Sequence, residues 1–174
     1  MRSLRLLIGS GAVAAVALLT APTVAVASTT VVDNFSGIET GIPTACGSGD
    51  SSSPFAGAAW GGLNGTFSAA ICHPAVVVTP GGTTAINSGS FVLSGFSGRT
   101  LSGTLAANGS AIVAGAPSHY DFFFCKQSFS VNDTLTAGGY VAAVLTHYTT
   151  AYSSSGCAGV VFFATVSGAV SIPS

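Results

Sequence analysis

Short apolar stretches rich in β-branched and aromatic residues recur along the chain, each bounded by Gly, Ser, Asn or Pro. No window of eleven or more residues repeats its apolar positions at the three- and four-residue spacing of an amphipathic helix. The pattern therefore predicts strands and no helix. The predicted strands cover residues 29–35, 66–71, 75–79, 85–96, 100–107, 110–114, 120–131, 140–152 and 158–172.

The turns between these strands are mostly short, which favours antiparallel pairing, because parallel neighbours need crossovers of a dozen residues or more. Asn108-Gly109 is the strongest hairpin signal in the chain, since both residues favour positive φ. The expected fold is all-β, an antiparallel β-sandwich of about eight or nine strands, with a closed up-and-down barrel as the alternative. Residues 36–65, rich in Gly and Ser, are expected to form an irregular segment tied by a disulfide.

Alternation along two strands identifies candidate core residues. In the last strand Val160, Phe162, Ala164 and Val166 share a face, and in the Phe-rich strand Phe123, Cys125, Phe129 and Val131 do. Both strands also carry apolar residues on the opposite face, such as Val161 with Phe163 and Phe122 with Phe124. A strand that is apolar on both sides is either covered twice or leaves a binding patch exposed.

The N-terminal 27 residues have the three parts of a secretory signal peptide. Arg2 and Arg5 precede an uncharged run to Leu19, and Ala25-Val26-Ala27 supplies the small residues of a cleavage site. The uncharged run is too short for a membrane-spanning helix of about 20 residues. We therefore expect residues 28–174 to be a single secreted or cell-surface β domain, with no membrane span in the mature chain.

The mature part contains all four cysteines, an even number typical of disulfides in an exported protein. Of the three possible pairings we favour Cys46–Cys72 with Cys125–Cys157, because each closes a local loop. In the chain-entropy model such loops stabilise the folded state by about 3–4 kcal/mol each. A zinc site is not expected, since the chain has no C-x₂-C pair.

Charged side chains are scarce in the mature part, and two basic residues, Arg99 and Lys126, stand against five acidic ones. Two cations cannot neutralise several phosphates, so a nucleic-acid partner is not expected. A neutral partner, a polysaccharide or a protein, suits such a surface better. Genomic composition explains the abundance of Ala, Gly, Val and Thr equally well and is typical of a bacterial source. The oligomeric state stays open.

The strongest polar cluster in the sequence consists of His119, Asp121 and His147. His119 and Asp121 are two residues apart on a predicted strand and so project from one face. His147 would face them if its strand paired with theirs. Such a set could orient a base or bind a metal, or it could simply lie at the rim of a turn.

Aromatic residues form the second candidate site. Trp60, Tyr140, Tyr148 and Tyr152 could stack on the apolar faces of sugar rings. The three tyrosines are an even number of residues apart and would share a face of a regular strand. The alternative is that these rings pack in the core, as aromatic residues of strands usually do.

No nucleophile elbow, phosphate loop, zinc-protease motif or calcium loop is present, so no cofactor and no metal are expected. The sequence favours an exported, non-catalytic β domain that binds a neutral ligand or partner. A secreted hydrolase with an unrecognised site and a secreted inhibitor or toxin-like protein are the two alternatives.

Overall fold

The computed structural model describes residues 30–106, 111–121 and 124–173. The predicted signal peptide lies outside these ranges. The strands in the described residues are β1 (Thr30–Glu39), β2 (Thr44–Gly47), β3 (Asp50–Gly61), β4 (Gly65–His73), β5 (Thr83–Ala85), β6 (Ser88–Gly95), β7 (Thr100–Thr104), β8 (Ala111–His119), β9 (Cys125–Thr134), β10 (Tyr140–Ala151) and β11 (Ala158–Pro173). The described residues contain no helix.

All strands belong to one antiparallel sheet, in the order β5-β8-β9-β10-β11-β1-β3-β4-β6-β7, with β2 paired to the start of β3. If the short strands β2 and β5 are set aside, every strand pairs with its neighbours in the chain, and β1 pairs with β11. The one exception is that β7 does not pair with β8, the next strand in the chain. This is the strand order of an up-and-down barrel that is open between two of its strands.

The sheet is strongly curled, so that its two halves face each other across one hydrophobic core. Phe35, Phe55 and Phe67 enter the core from one half, and Phe129 and Leu145 enter it from the other. The rings of Phe35 and Phe67 stack with centroids 4.4 Å apart. The prediction of an all-β antiparallel fold is confirmed, and the opposed halves pack as the layers of a sandwich or barrel do.

The expectation that residues 36–65 are irregular is wrong, because this range holds the end of β1, β2 and the twelve residues of β3. Two of its glycines, Gly37 and Gly57, lie in strands and serve close strand packing. A Cβ atom on Gly57 would lie 2.0 Å from the carbonyl oxygen of Ser36 on the neighbouring strand. Small residues let β3 approach β1, and this tertiary contact overrides their low strand propensity.

Two other expectations are corrected. Residues 75–79 do not form a strand but part of a loop that links β4 to β5, because side chains rather than a neighbouring strand bind their backbone. Thr84 Oγ1 accepts the N–H of Val77. The strands on either side of Asn108-Gly109 do not form a hairpin either, since β8 pairs with β5 and β9. Asn108-Gly109 itself lies outside the described residues.

Two disulfides join Cys46 to Cys72 and Cys125 to Cys157, which is the pairing favoured from the sequence. The first bridge ties β2 to the end of β4. The second bridge ties the start of β9 to the turn between β10 and β11. Both bridges lie at the same end of the sheet, where the irregular segments are.

Replacing Phe129 with Ala is expected to lower the free energy of unfolding by about 3–5 kcal/mol, since its ring fills the centre of the core and is 1% exposed. Phe96→Ala is the matched control, because this ring is 84% exposed in the turn after β6. The control should lose less than about 0.5 kcal/mol. Urea unfolding followed by Trp60 fluorescence measures both; equal losses would contradict the core assignment.

Candidate functional site

A cavity of about 290 Å³ opens at the end of the sheet that carries both disulfides. We call it the end cavity. It lies between the inner faces of β3, β9 and β10 and the irregular segments that cross this end. Its lining combines apolar side chains with a few polar ones: Glu39, Pro43, Ser51, Ser53, Phe55, His73, Ala75, Val76, Val78, Phe129, Leu145, His147, Thr149, Cys157, Gly159 and Val161.

The buried side chain of Gln127 fixes the wall of this cavity. Its Nε2 donates to the carbonyl oxygens of Val78 and Gly115, the latter at 2.8 Å. Its Oε1 accepts the N–H of Cys157 at 2.8 Å. One amide group therefore satisfies polar backbone groups of three separate segments, which would otherwise be buried without partners.

Gly156 allows two of these segments to touch. It has a φ of 142°, and a Cβ atom there would lie 2.5 Å from the carbonyl oxygen of Val78. Only glycine fits both this backbone conformation and this contact. The turn that carries Cys157 is thus held directly against the 74–82 loop, and the two together close one side of the cavity.

His147 projects from β10 toward the inside of the sheet, where its ring packs against Phe129 with centroids 5.0 Å apart. Burial, together with a smaller contribution from the nearby His73, lowers the pKa of His147 from 6.5 to about 4. The imidazole is therefore neutral at neutral pH. It can donate one hydrogen bond and accept one inside a largely apolar space.

His73 is the second imidazole in the lining and follows Cys72 at the end of β4. Its Nδ1 lies 2.7 Å from the carbonyl oxygen of Pro74. Since a carbonyl only accepts, Nδ1 donates a proton in this contact. The end cavity therefore offers two imidazoles, hydroxyls from Ser51 and Ser53, and the carboxylate of Glu39.

A second, smaller cavity of about 50 Å³ lies deeper in the core. It shares Phe55, His73 and Leu145 with the end cavity, and its lining is almost wholly apolar. Its polar residues are His73, Ser90 and Asp133, of which Asp133 is 3% exposed. Neither carboxylate oxygen has a well-formed hydrogen bond. Burial raises the pKa of Asp133 to about 6, although the nearby N–H groups of Thr134 and Ala106 offset part of this rise.

The structure does not bring the predicted polar cluster together at this cavity. His147 lines the end cavity, whereas neither His119 nor Asp121 does. Strand β9 lies between β8 and β10, so the strands of His119 and His147 are not paired. The His119 ring instead stacks on Tyr152, with centroids 3.7 Å apart.

The four aromatic candidates are divided between the two ends of the sheet. Tyr140 begins β10, eight residues before Tyr148, which is about 26 Å along a strand. Trp60 lies near the end of β3, at the same end of the sheet as Tyr140. Tyr148 and Tyr152 lie at the end that carries the cavity, so no single strip contains all four rings.

Rings from the start of β11 and the β8–β9 connection surround Tyr148 on the outer surface. Its centroid lies 4.8 Å from that of Tyr120 and 5.5 Å from that of Phe163. Phe124 and Phe162 lie 5.1 Å apart. We call Tyr120, Phe124, Tyr148, Tyr152, Phe162 and Phe163 the aromatic patch. Phe122 and Phe123 lie outside the described residues.

The sequence reasoning missed Gln127, His73 and Glu39. Gln127 has the same strand parity as Cys125 and Phe129, so a lone amide on an otherwise apolar face was a usable signal. The roles of His73 and Glu39 had no such signal, because the cavity forms only where distant strands converge.

Within the described ranges, no three His, Cys, Asp or Glu side chains are grouped so as to hold a metal ion. Nor do these ranges contain a helix long and apolar enough to cross a bilayer. Comparisons with protein-family models, characterised proteins and solved structures found no match. The function must therefore be argued from the chemistry of the site itself.

Gln127→Leu is expected to lower the free energy of unfolding by about 3–6 kcal/mol, because it leaves two carbonyl oxygens and one N–H buried without partners. Gln127→Glu is the matched variant, since it keeps the shape of the side chain but replaces the Nε2 amide group, which donates two hydrogen bonds, with an oxygen. It should be destabilised at pH 7 and partly recover in acid, when its carboxyl is protonated. Urea unfolding at pH 4 and pH 7 measures both; wild-type stability of the Leu variant would contradict the role of Gln127.

Asp133 and His147 are expected to give the stability opposite pH dependences. The folded protein binds a proton on Asp133 more readily than the unfolded chain does, so this group makes stability fall as pH rises from about 4 to about 6. The folded protein resists protonation of His147, so this group makes stability fall as pH drops from 6.5 to about 4. The two effects oppose each other over nearly the same pH range.

Asp133→Asn should therefore raise the free energy of unfolding by about 1–3 kcal/mol at pH 7.5, since it removes a poorly bonded buried charge. The variant should then lose stability more steeply than the wild type between pH 6.5 and pH 4. His147→Gln should have the opposite effect, so that the free energy of unfolding falls less steeply than in the wild type between pH 6.5 and pH 4. Urea unfolding midpoints measured at four pH values separate these outcomes. If stability depends on pH in both variants as it does in the wild type, the pH dependence does not come from Asp133 and His147.

Proposed function

We propose that the chain is an exported, non-catalytic binding protein that takes a small, neutral and mainly apolar ligand into the end cavity. The observation that carries this proposal is the cavity itself, a concave and mostly apolar space with a few convergent polar groups. Binding sites for small molecules have this composition. A volume of about 290 Å³ suits a ligand of roughly ten to twenty non-hydrogen atoms.

The charge of the lining supports a neutral ligand. Glu39 is the one acidic residue in the lining, and no Lys or Arg lies there. Because the pKa of His147 is about 4, this ring adds no positive charge at neutral pH. An anionic ligand would meet no fixed cation, whereas a hydroxyl or carbonyl group could bond to His147, His73 or the serine hydroxyls.

The apolar lining supports the preference for an apolar ligand body. Phe55 and Leu145 line both cavities, so the inner wall of the end cavity belongs to the apolar core. Burial of its apolar surface would contribute about 25 cal/mol per Å² before the costs of binding are subtracted. Export, which rests on the N-terminal sequence, belongs to the same proposal, and the two disulfides are consistent with an oxidising compartment.

The hydrolase alternative receives less support from the geometry. In the described part of the chain no hydroxyl group hydrogen-bonds to the imidazole of His147 or His73, and His119 and Asp121 lie away from the cavity lining. The inhibitor alternative needs a protruding 36–65 loop, whereas most of these residues lie in strands of the sheet. Both remain alternatives without an observation that favours them.

The test uses N-phenyl-1-naphthylamine, a neutral apolar dye that fluoresces strongly in apolar surroundings. We expect saturable emission with the mature wild-type protein and at least about a tenfold loss of affinity for Ser53→Phe, since this ring would occupy the cavity. Ser36→Phe is the matched control, because Ser36 is exposed on β1. No saturable binding, or an equal loss in the control, would reject the end cavity as the site.

A further inference from the structure

The two disulfides of this protein lie in different surroundings. Cys125 and Cys157 are 0% and 4% exposed, and Gln127 Oε1 accepts the N–H of Cys157 beside the bridge. Cys46 belongs instead to a strand whose four residues are all exposed, and only its partner Cys72 is buried. Exposed disulfides are the more readily reduced ones. A reductant in solution can therefore reach the Cys46–Cys72 bridge from the side of Cys46.

Cys46 lies within a surface segment, residues 40–49, that we call the strap. Every residue of the strap is exposed, and none belongs to the hydrophobic core. In the described sheet its β2 strand is paired on one side only, with Asp50, Ser51 and Ser52 at the start of β3. Regions with few buried apolar contacts open at a small free-energy cost. The strap therefore depends on its disulfide more than the rest of the sheet does.

Besides its short ladder with β3, hydrogen bonds from Thr40 and the disulfide of Cys46 attach the strap to the sheet. The N–H of Thr40 donates to the carbonyl oxygen of Pro54 at 2.9 Å. The bridge joins Cys46 to Cys72, whose Cα atoms are 6.1 Å apart. Cys72 stays in the sheet without the bridge, because β4 pairs with both β3 and β6. Breaking this bridge would therefore loosen the strap and leave the sheet intact.

The strap also borders the end cavity. Pro43 belongs to the lining of that cavity, and so does Glu39, the residue before the strap. His73, which follows Cys72 in the chain, lines the same space. Both cysteines of the bridge are therefore close in sequence to the wall of the cavity, and a movement of the strap changes its opening.

We infer that the Cys46–Cys72 disulfide is a redox latch, a bond that holds the end cavity closed until a dithiol reduces it. A thiolate of the dithiol attacks Sγ of Cys46, and Sγ of Cys72 leaves as a thiolate that takes up a proton. The second thiol of the reductant then displaces Cys46 from the mixed disulfide, which yields two cysteine thiols and one oxidised dithiol. Pro43 and the strap then separate from the cavity wall, while the buried Cys125–Cys157 bridge stays intact.

This inference concerns the regulation of the proposed ligand site and rests on the proposed function, because the latch controls a ligand only if the cavity holds one. In an oxidising compartment the bridge remains formed, and a bound ligand stays enclosed. Where a dithiol is present, the strap loosens and the ligand leaves faster, because its contact with Pro43 is lost. The protein thus carries its ligand until it meets a thiol reductant and releases it there.

Timed reduction shows which bridge opens first. The oxidised mature protein is treated with dithiothreitol at about pH 8, where thiols are partly ionised. Freed thiols are blocked with iodoacetamide and located by mass spectrometry. Cys46 and Cys72 should be alkylated at least about tenfold faster than Cys125 and Cys157. Hydrogen exchange should become faster in residues 40–49 and stay unchanged in β9.

Diethyl pyrocarbonate, which modifies accessible imidazoles, detects opening of the cavity without any ligand. His147 lines the end cavity on β10 and is distant in sequence from the latch. Its modification should become at least about threefold faster once the latch is reduced, whereas the exposed His119 should react at an unchanged rate. The double variant Cys46→Ser, Cys72→Ser is the matched control. Its His147 should react fast from the start and not respond to dithiothreitol. If circular dichroism shows this variant unfolded, the comparison of oxidised and reduced wild type decides alone.

Three results would overturn the inference: reduction of both bridges at equal rates, reduction of Cys46–Cys72 with no change at His147, or a double variant that responds to dithiothreitol as the wild type does. N-phenyl-1-naphthylamine separates the latch from the proposed function. If the dye binds the oxidised protein but dissociates no faster after selective reduction, the latch is wrong and the ligand site stands. If the dye never binds but His147 becomes accessible on reduction, the ligand site is wrong and the latch stands.

Discussion

The hydrogen bonds of Gln127 are the interaction on which the cavity-bearing end of this protein depends. A curled sheet satisfies its own backbone, but the segments that cross its end do not, and burying them would be costly without partners. Gln127 supplies partners to the backbone of Val78, Gly115 and Cys157 at once. The disulfide from Cys125, two residues earlier on β9, fixes Cys157 covalently. An amide and a disulfide on one strand thus hold the wall of the end cavity.

The cavity and the unpaired start of β11 have one geometric origin. β1 and β11 pair along most of their length and then separate after Ile38 and Thr165. The separation leaves Glu39 on one side and Val161 on the other, and both line the opening between them. It also removes the neighbour of the first residues of β11. A binding space and an unpaired apolar strand are therefore two consequences of the same divergence.

The few ionisable groups matter because most of the surface is uncharged. Asp133 is buried with poor hydrogen bonds and has a raised pKa, while the buried His147 has a lowered one. Both environments disfavour the charged form for the same reason, loss of hydration. The imidazole that lines the end cavity is therefore neutral at neutral pH, and the effects of Asp133 and His147 on stability oppose each other between pH 4 and pH 6.

The sequence by itself determined the strand class and the antiparallel pairing, because period-two alternation and short turns are local properties. It favoured one of three disulfide pairings, and the structure has that pairing. It also marked the β11 segment around Val161 and Phe163 as apolar on both faces. Only the tertiary structure decided that this segment is uncovered, that His147 meets His73 rather than His119, and that residues 36–65 contain β3. These outcomes depend on where strands distant in sequence converge or diverge. Gly57 in β3 shows why the sequence pattern failed for this strand. Glycine usually indicates a loop, but here it is required for the close approach of β3 to Ser36 on β1.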